Sequence, residues 1–218
     1  MSKKILSRKI DIRLPAGKSC FLWGPRKAGK SYWIRHHLKD IKLIDLLQTE
    51  RTVRSYFDIL EDTFLGFRVA PWTRSKSRRM ILAEKFYFFD VGVAGYLARR
   101  HPVPGSSDFG KAFEHFILME LRAYQAYREP EMPIRYWRTS SGQEVDFLLG
   151  EREVAIEIKS GKVHEGDLRG LQALLKDGPV KKAIIVSLEK ERRRVAGMIE
   201  ILPWQEFLAL LWSGKILA

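Results

Sequence analysis

The chain holds one cysteine, Cys20, among 218 residues. It therefore has no disulfide framework and no cysteine-based zinc site, and a reducing interior is the expected compartment. Apolar runs of membrane-spanning length are also missing. EFLALLWSG near the C-terminus is too short, and the opening MSKKILSRKIDIRL is punctuated by charge where a secretion signal would be apolar. These absences predict a cytoplasmic protein. Acidic residues are scarce in one half only: residues 1–100 carry 22 Lys and Arg against 9 Asp and Glu, whereas residues 101–218 carry 17 of each. The whole +13 excess therefore falls in the first half. Its densest run, RVAPWTRSKSRRMILAEK, sets Arg68, Arg74, Lys76, Arg78, Arg79 and Lys85 around Trp72. That composition suits a phosphate backbone or an acidic neighbouring domain, and Arg74, Lys76, Arg78 and Arg79 are the candidate nucleic-acid contacts.

Near the N-terminus, SCFLWGPRKAGKSYWIRHHLK reads as strand, glycine loop and helix. Gly24, Gly29, Lys30 and Ser31 satisfy G-x-x-x-x-G-K-[ST] in the context that motif requires. The glycines let backbone N–H groups close around phosphates, Lys30 reaches the β and γ phosphates, and the Ser31 hydroxyl suits Mg²⁺. A second strand, IKLIDLL, follows, and the nucleotide-binding pattern then stops. Asp45 comes too soon for the acidic residue of a later strand, and Asp90 is followed by Val91 rather than a second carboxylate. Two strands and one helix cannot cover a parallel sheet on both faces. Weak binding of ATP or ADP without hydrolysis is the expectation.

Residues 142–160, GQEVDFLLGEREVAIEIKS, read as two alternating strands joined by a short polar turn. Strict alternation puts Glu144, Asp146 and Leu148 on one side with Glu153, Ala155, Glu157 and Lys159, and leaves Val145, Phe147, Leu149, Val154, Ile156 and Ile158 on the other, predicting one polar face and one core face. If Leu149 opposes Val154, Asp146 faces Glu157 and Glu144 faces Lys159. Two carboxylates there suit Mg²⁺ or Mn²⁺, and the adjacent ammonium suits a water to be oriented or activated. Alone, an E-x-K on a strand reads more readily as a surface salt bridge. Around this hairpin, GKAFEHFILMELRAYQAYRE reads as a helix with Phe113, Phe116, Ile117, Leu121 and Tyr124 on one stripe, IRYWRT as a strand, EGDLRGLQALLKDG as a helix, VKKAIIVSLE as a strand and PWQEFLALLW as a last helix. His115 and His164 lie near the site in sequence, and packing or surface roles are expected for both. Phe86 to Phe89 read as a buried strand rather than base-stacking residues.

The loop GPRKAGKS, the stretches YFDILEDTFLGFRVAPW and KFYFFDVGVAGYLA, and the series GKAFEHFILMEL, YWRTSSGQEVDFLL and AIEIKS together resemble a group of prokaryotic AAA+ ATPases. In that group a P-loop core leads through a winged-helix-like region into a C-terminal domain resembling PD-(D/E)xK nucleases. The resemblance implies an α/β chain in three parts: a partial P-loop β-α-β unit over 1–50, a basic winged-helix-like segment over 51–104, and a restriction-endonuclease-like α-β-β-β-α-β domain over 105–218. It also implies that most of the ATPase core is missing, with Glu50 and Arg51 joining segments that are far apart in the family. Asp146, Glu157 and Lys159 then map onto the nuclease triad, with Asp146 and Glu157 as metal ligands, and Glu114 onto the acidic residue that the first helix contributes. Gln143 and Ser160 flank the site. The implied activity is metal-dependent cleavage of nucleic acid, DNA foremost; the alternative is a non-catalytic ATP- or DNA-binding remnant that keeps the fold as a scaffold.

Overall fold

The computed structural model describes residues 50–74 and 79–217, with side chains from residue 53. The chain divides into two units, Met1–Val53 and Arg54–Ala218. The glycine loop with Gly24, Gly29, Lys30 and Ser31, and the basic residues Lys76 and Arg78, lie outside the described residues.

The second unit is a mixed α/β structure built on one eight-stranded mixed sheet. In chain order the described elements are α1 (Glu50–Asp62), β1 (Gly66–Pro71), β2 (Lys85–Phe88), α2 (Val91–Leu97), α3 (Ser107–Arg128), β3 (Ile134–Arg138), β4 (Glu144–Leu149), β5 (Val154–Lys159), a 3-10 turn (Glu165–Leu168), α4 (Arg169–Asp177), β6 (Lys182–Ser187), β7 (Arg193–Val195), β8 (Ile199–Pro203) and α5 (Trp204–Trp212). The sheet order is β2-β1-β3-β4-β5-β6-β8-β7. β1–β2, β3–β4, β4–β5 and β7–β8 pair antiparallel, while β1–β3, β5–β6 and β6–β8 pair parallel.

The segment over 51–104 thus supplies two strands to the sheet, joined through Ala70↔Arg135 and Pro71↔Tyr136. β7 and β8 are elements that the sequence reading missed, because KERRRVAGMIEIL looks like a charged loop. Their charges neutralise one another on the sheet, Arg192 and Arg194 both pairing with Glu200.

Both sheet faces are core, which corrects the expectation of one polar face. Phe113, Ile117, Leu118, Leu121 and Tyr124 of α3 pack with Phe207 and Leu211 of α5 over Phe147, Leu149, Val154, Ile156, Ile184 and Val186. On the other face Leu171, Ala173 and Leu174 of α4 cover Val145, Leu148, Ala155, Ala183, Ile185 and Ile201. The parallel run β5, β6 and β8 needs this double cover, since both its faces are apolar. Among the described residues no helix is long and apolar enough to cross a membrane.

Candidate functional site

A break in alternation builds the site. Val145 and Leu148 point to the α4 face, but Phe147 and Leu149 point to the α3 face. Arg135 pairs with Leu148 and Trp137 with Val145, so Tyr136 alone on β3 stands against Asp146 and Phe147 on β4. This is a β-bulge, which adds a residue on one strand and re-aims a side chain. The Leu149↔Val154 register holds, but the β4–β5 ladder pairs end at Phe147↔Ile156. Beyond that point the Asp146 Oδ2 accepts the Ile158 backbone N–H at 2.8 Å. Asp146 therefore reaches β5 through its side chain rather than as a ladder partner of Glu157.

The local sequence enforces this geometry twice. Gly150 opens the β4–β5 turn with φ 63°, a conformation costly for other residues. At the first turn of α4, a Cβ on Gly170 would run into the Glu144 carbonyl oxygen. Glycine there lets the helix sit directly on the strand carrying Glu144 and Asp146.

Asp146 is half-buried and Glu157 only 8% exposed. Lys159 Nζ donates to Glu157 Oε1 at 2.7 Å and lies 3.9 Å from Asp167 in the 3-10 turn. Glu157 Oε2 is buried with no hydrogen-bond partner among the described residues. Burial pushes the Asp146 carboxyl well above the usual carboxylate range; Glu157 and Glu114 add to this, while Lys85 and the Ile158 amide oppose it. Burial also raises Glu157, against the pull of Lys159. Burial disfavours the charged form of Lys159, but Glu157 outweighs it and the ammonium is held above its ordinary value.

Glu144 does not face Lys159, contrary to the alternation argument. Its Oε1 lies 2.5 Å from Lys85 Nζ, with Arg138 at 3.5 Å from Oε2. Lys85 also approaches Glu114 of α3 at 3.7 Å and lies 5.0 Å from the Tyr136 ring centroid. The Tyr87 hydroxyl donates to Glu114 Oε1 at 2.6 Å. Burial, reinforced by Glu114, raises the Tyr87 phenol, which keeps its proton. Lys85 and Tyr87 belong to the candidate site by their contacts with Glu114 and Glu144, and sequence reasoning missed them. The signal was the β2 alternation: Lys85 and Tyr87 share one side, while Phe86 packs against Phe57 of α1 and Phe88.

Other expectations resolve as follows. His115 is buried, its Nε2 2.7 Å from the Phe88 carbonyl, and burial lowers its pKa; it is a packing residue. His164 is exposed. Ser160 lies beside the first turn of α3, its Oγ 3.2 Å from where a Gly110 Cβ would stand. Gln143 sits in the β3–β4 turn, its backbone bonded to Thr139. In the basic run, Arg74 and Arg79 are exposed, and Arg74 pairs with Glu151 at 2.9 Å. Arg68 and Lys85 are not surface cations for a phosphate backbone: Arg68 is tied to Asp58 and Glu61, and Lys85 to Glu144. Trp72 is buried at 5% exposure, with Arg74, Arg135 and Arg152 around its ring.

A hard divalent cation takes oxygen ligands, and charge-bearing carboxylates above all. Asp146 and Glu157 suit that requirement, since an orphaned buried carboxylate oxygen gains most from a cation. Among the described residues no group of three His, Cys, Asp or Glu side chains lies close enough to hold a metal ion. Among the described residues these two carboxylates would then be the whole contribution, with water completing the shell.

Residues 109–207 match a domain of unknown function (DUF4143). That domain is found in AAA-ATPase-associated proteins. A second domain of unknown function (DUF8612) matches residues 34–103. The two matches meet at the candidate site: Glu114, Glu144, Asp146, Glu157 and Lys159 come from the first stretch, Lys85 and Tyr87 from the second. No curated protein matches the chain.

Proposed function

We propose that this chain is a shortened relative of prokaryotic AAA+ ATPases whose C-terminal part is a PD-(D/E)xK nuclease-like module acting on nucleic acid, DNA foremost. The observation that carries this reading is a buried Glu157 whose Oε2 has no hydrogen-bond partner among the described residues and whose Oε1 receives Lys159, with the Asp146 carboxyl near enough to feel its charge. The order α3, β3, β4, β5, α4, β6 is the α-β-β-β-α-β core order of that fold and supports the reading.

Asp146 and Glu157 would hold Mg²⁺ or Mn²⁺. When bound, such an ion polarises a phosphoryl oxygen and acidifies a water. Lys159 stays protonated between Glu157 and Asp167, where it orients a nucleophilic water or a phosphate oxygen. Glu114, held by Tyr87 and approached by Lys85, adds its charge to that felt by Asp146. Exposed Arg74 and Arg79, with Lys76 and Arg78 of the same run, would hold the phosphate backbone. The glycine loop with Gly24, Gly29, Lys30 and Ser31 would bind ATP or ADP weakly and turn little over. A calorimetric titration of wild type and Lys30→Ala reads that part.

Labelled plasmid and single-stranded DNA incubated with the protein in Mg²⁺, Mn²⁺ or EDTA tests the main reading. Cleavage that needs the metal and disappears in Asp146→Ala, with DNA binding retained, is the expected result. Cleavage that survives in Asp146→Ala overturns it. Absence of cleavage by wild type with every metal favours the scaffold reading, to which the lack of a three-carboxylate group among the described residues also points.

A further inference from the structure

Four carboxylates, Glu114, Glu144, Asp146 and Glu157, feel one another's charge here, although among the described residues no three of them lie close enough to hold one ion. They are not equivalent. Glu157 keeps a buried oxygen with no hydrogen-bond partner among the described residues. Glu114 and Glu144 share the ammonium of Lys85, at 3.7 and 2.5 Å, and Glu114 also receives the Tyr87 hydroxyl. The lysine is well embedded, its side chain 23% exposed and lying against the Tyr136 ring. Tyr136 is anchored in turn by its hydroxyl on the Ala83 carbonyl, two residues before Lys85 in the chain.

We propose that Lys85 takes the place of a second metal ion, so that the site binds a single divalent cation at Asp146 and Glu157. This rests on the metal-dependent reading above and specifies its stoichiometry. An ammonium is a point charge with three donors, able to satisfy two carboxylates as a cation does, without acidifying a water. Charge balance points the same way. Lys85, Lys159 and Arg138 set against Glu114, Glu144, Asp146, Glu157 and Asp167 leave two negative charges in excess, which one divalent ion neutralises. Lys85 is charged at neutral pH: burial opposes its charge, but Glu114 and Glu144 raise its pKa above the ordinary value. Because β2 carries both Lys85 and Tyr87, the hairpin of β1 and β2 is part of the site, and Lys85 is a positioning residue that sets ion number.

Mn²⁺ titration, read by electron paramagnetic resonance and by calorimetry, tests this on the full chain. Wild type should bind one ion per chain at the site, and Lys85→Met, which keeps the stem over Tyr136, should bind two. In Asp146→Asn the single ion should be lost. Two ions in wild type, or one in a folded Lys85→Met, overturn the inference while leaving the metal site intact. No site-specific ion in wild type overturns the functional reading and this inference together. Circular dichroism establishes the fold of the variant, and Lys85→Gln gives a second reading of the same count if Lys85→Met does not fold.

Discussion

Asp146→Asn should stabilise the metal-free protein and destabilise the metal-loaded one. The Asp146 Oδ2 accepts the Ile158 N–H, a bond that asparagine keeps. What it loses is a half-buried negative charge facing Glu157 and Glu114, offset in part by Lys85. Relieving a charge held unfavourably at a functional site commonly yields about 1–2 kcal/mol. For a unit of this size that raises Tm by about 2–8 °C. The sign follows from linkage. The folded pKa of Asp146 lies above the unfolded value of about 4, so between the two the folded state binds more protons. Wild type therefore gains stability from this group as pH falls from neutral into that window, and the asparagine variant does not. Saturating Mn²⁺ should reverse the ranking, because an ion at about 100 times its Kd adds about 2.7 kcal/mol to wild type alone. The assay is thermal melting of both proteins in EDTA and in Mn²⁺, at neutral pH and near pH 5. A variant that melts below wild type in EDTA would falsify the account of Asp146 as a strained carboxylate. Equal Mn²⁺ shifts in the two proteins would remove Asp146 from the ion's shell.

Two further substitutions probe the frame around the site. Gly170→Ala places a methyl against the Glu144 carbonyl, and should cost about 1–3 kcal/mol in denaturant unfolding by forcing α4 off β4; an unchanged midpoint would show that the helix does not rest on that strand. Glu189 accepts two bonds from Arg193 and the Val163 N–H, which hold its carboxyl down to about 2. Its folded pKa is below the unfolded one, so its stabilisation is present above about pH 4 and is lost as pH falls toward 2. Glu189→Gln should cost about 1 kcal/mol at pH 7 after screening by solvent, and nothing near pH 2; a gap that does not close on acidification would mean the contribution is not electrostatic.

The linear pattern carried much of the architecture. The stripe on α3, the runs EVDFLL and AIEIK, the amphipathic α4 and the apolar α5 are local signals, and the Leu149↔Val154 register follows from a turn whose glycine has a positive φ. Chemistry-bearing residue types, two carboxylates and a lysine on neighbouring strands, were also legible. Tertiary structure decided what those residues meet. Alternation assumes an unbroken strand, and the bulge at Asp146 breaks it, because one residue of β3 stands against two of β4. Composition reads Lys85 and Arg68 as surface charge, yet pairing of β2 with β1 and packing against α3 carry Lys85 between Glu114 and Glu144, while Arg68 turns to Asp58 and Glu61 of α1. β7 and β8 escaped because their charges cancel only across strands, between Arg194 and Glu200. A charge count along the chain is local; which opposite charge stands within reach is set by strand order and helix cover, and that is where the candidate site was made.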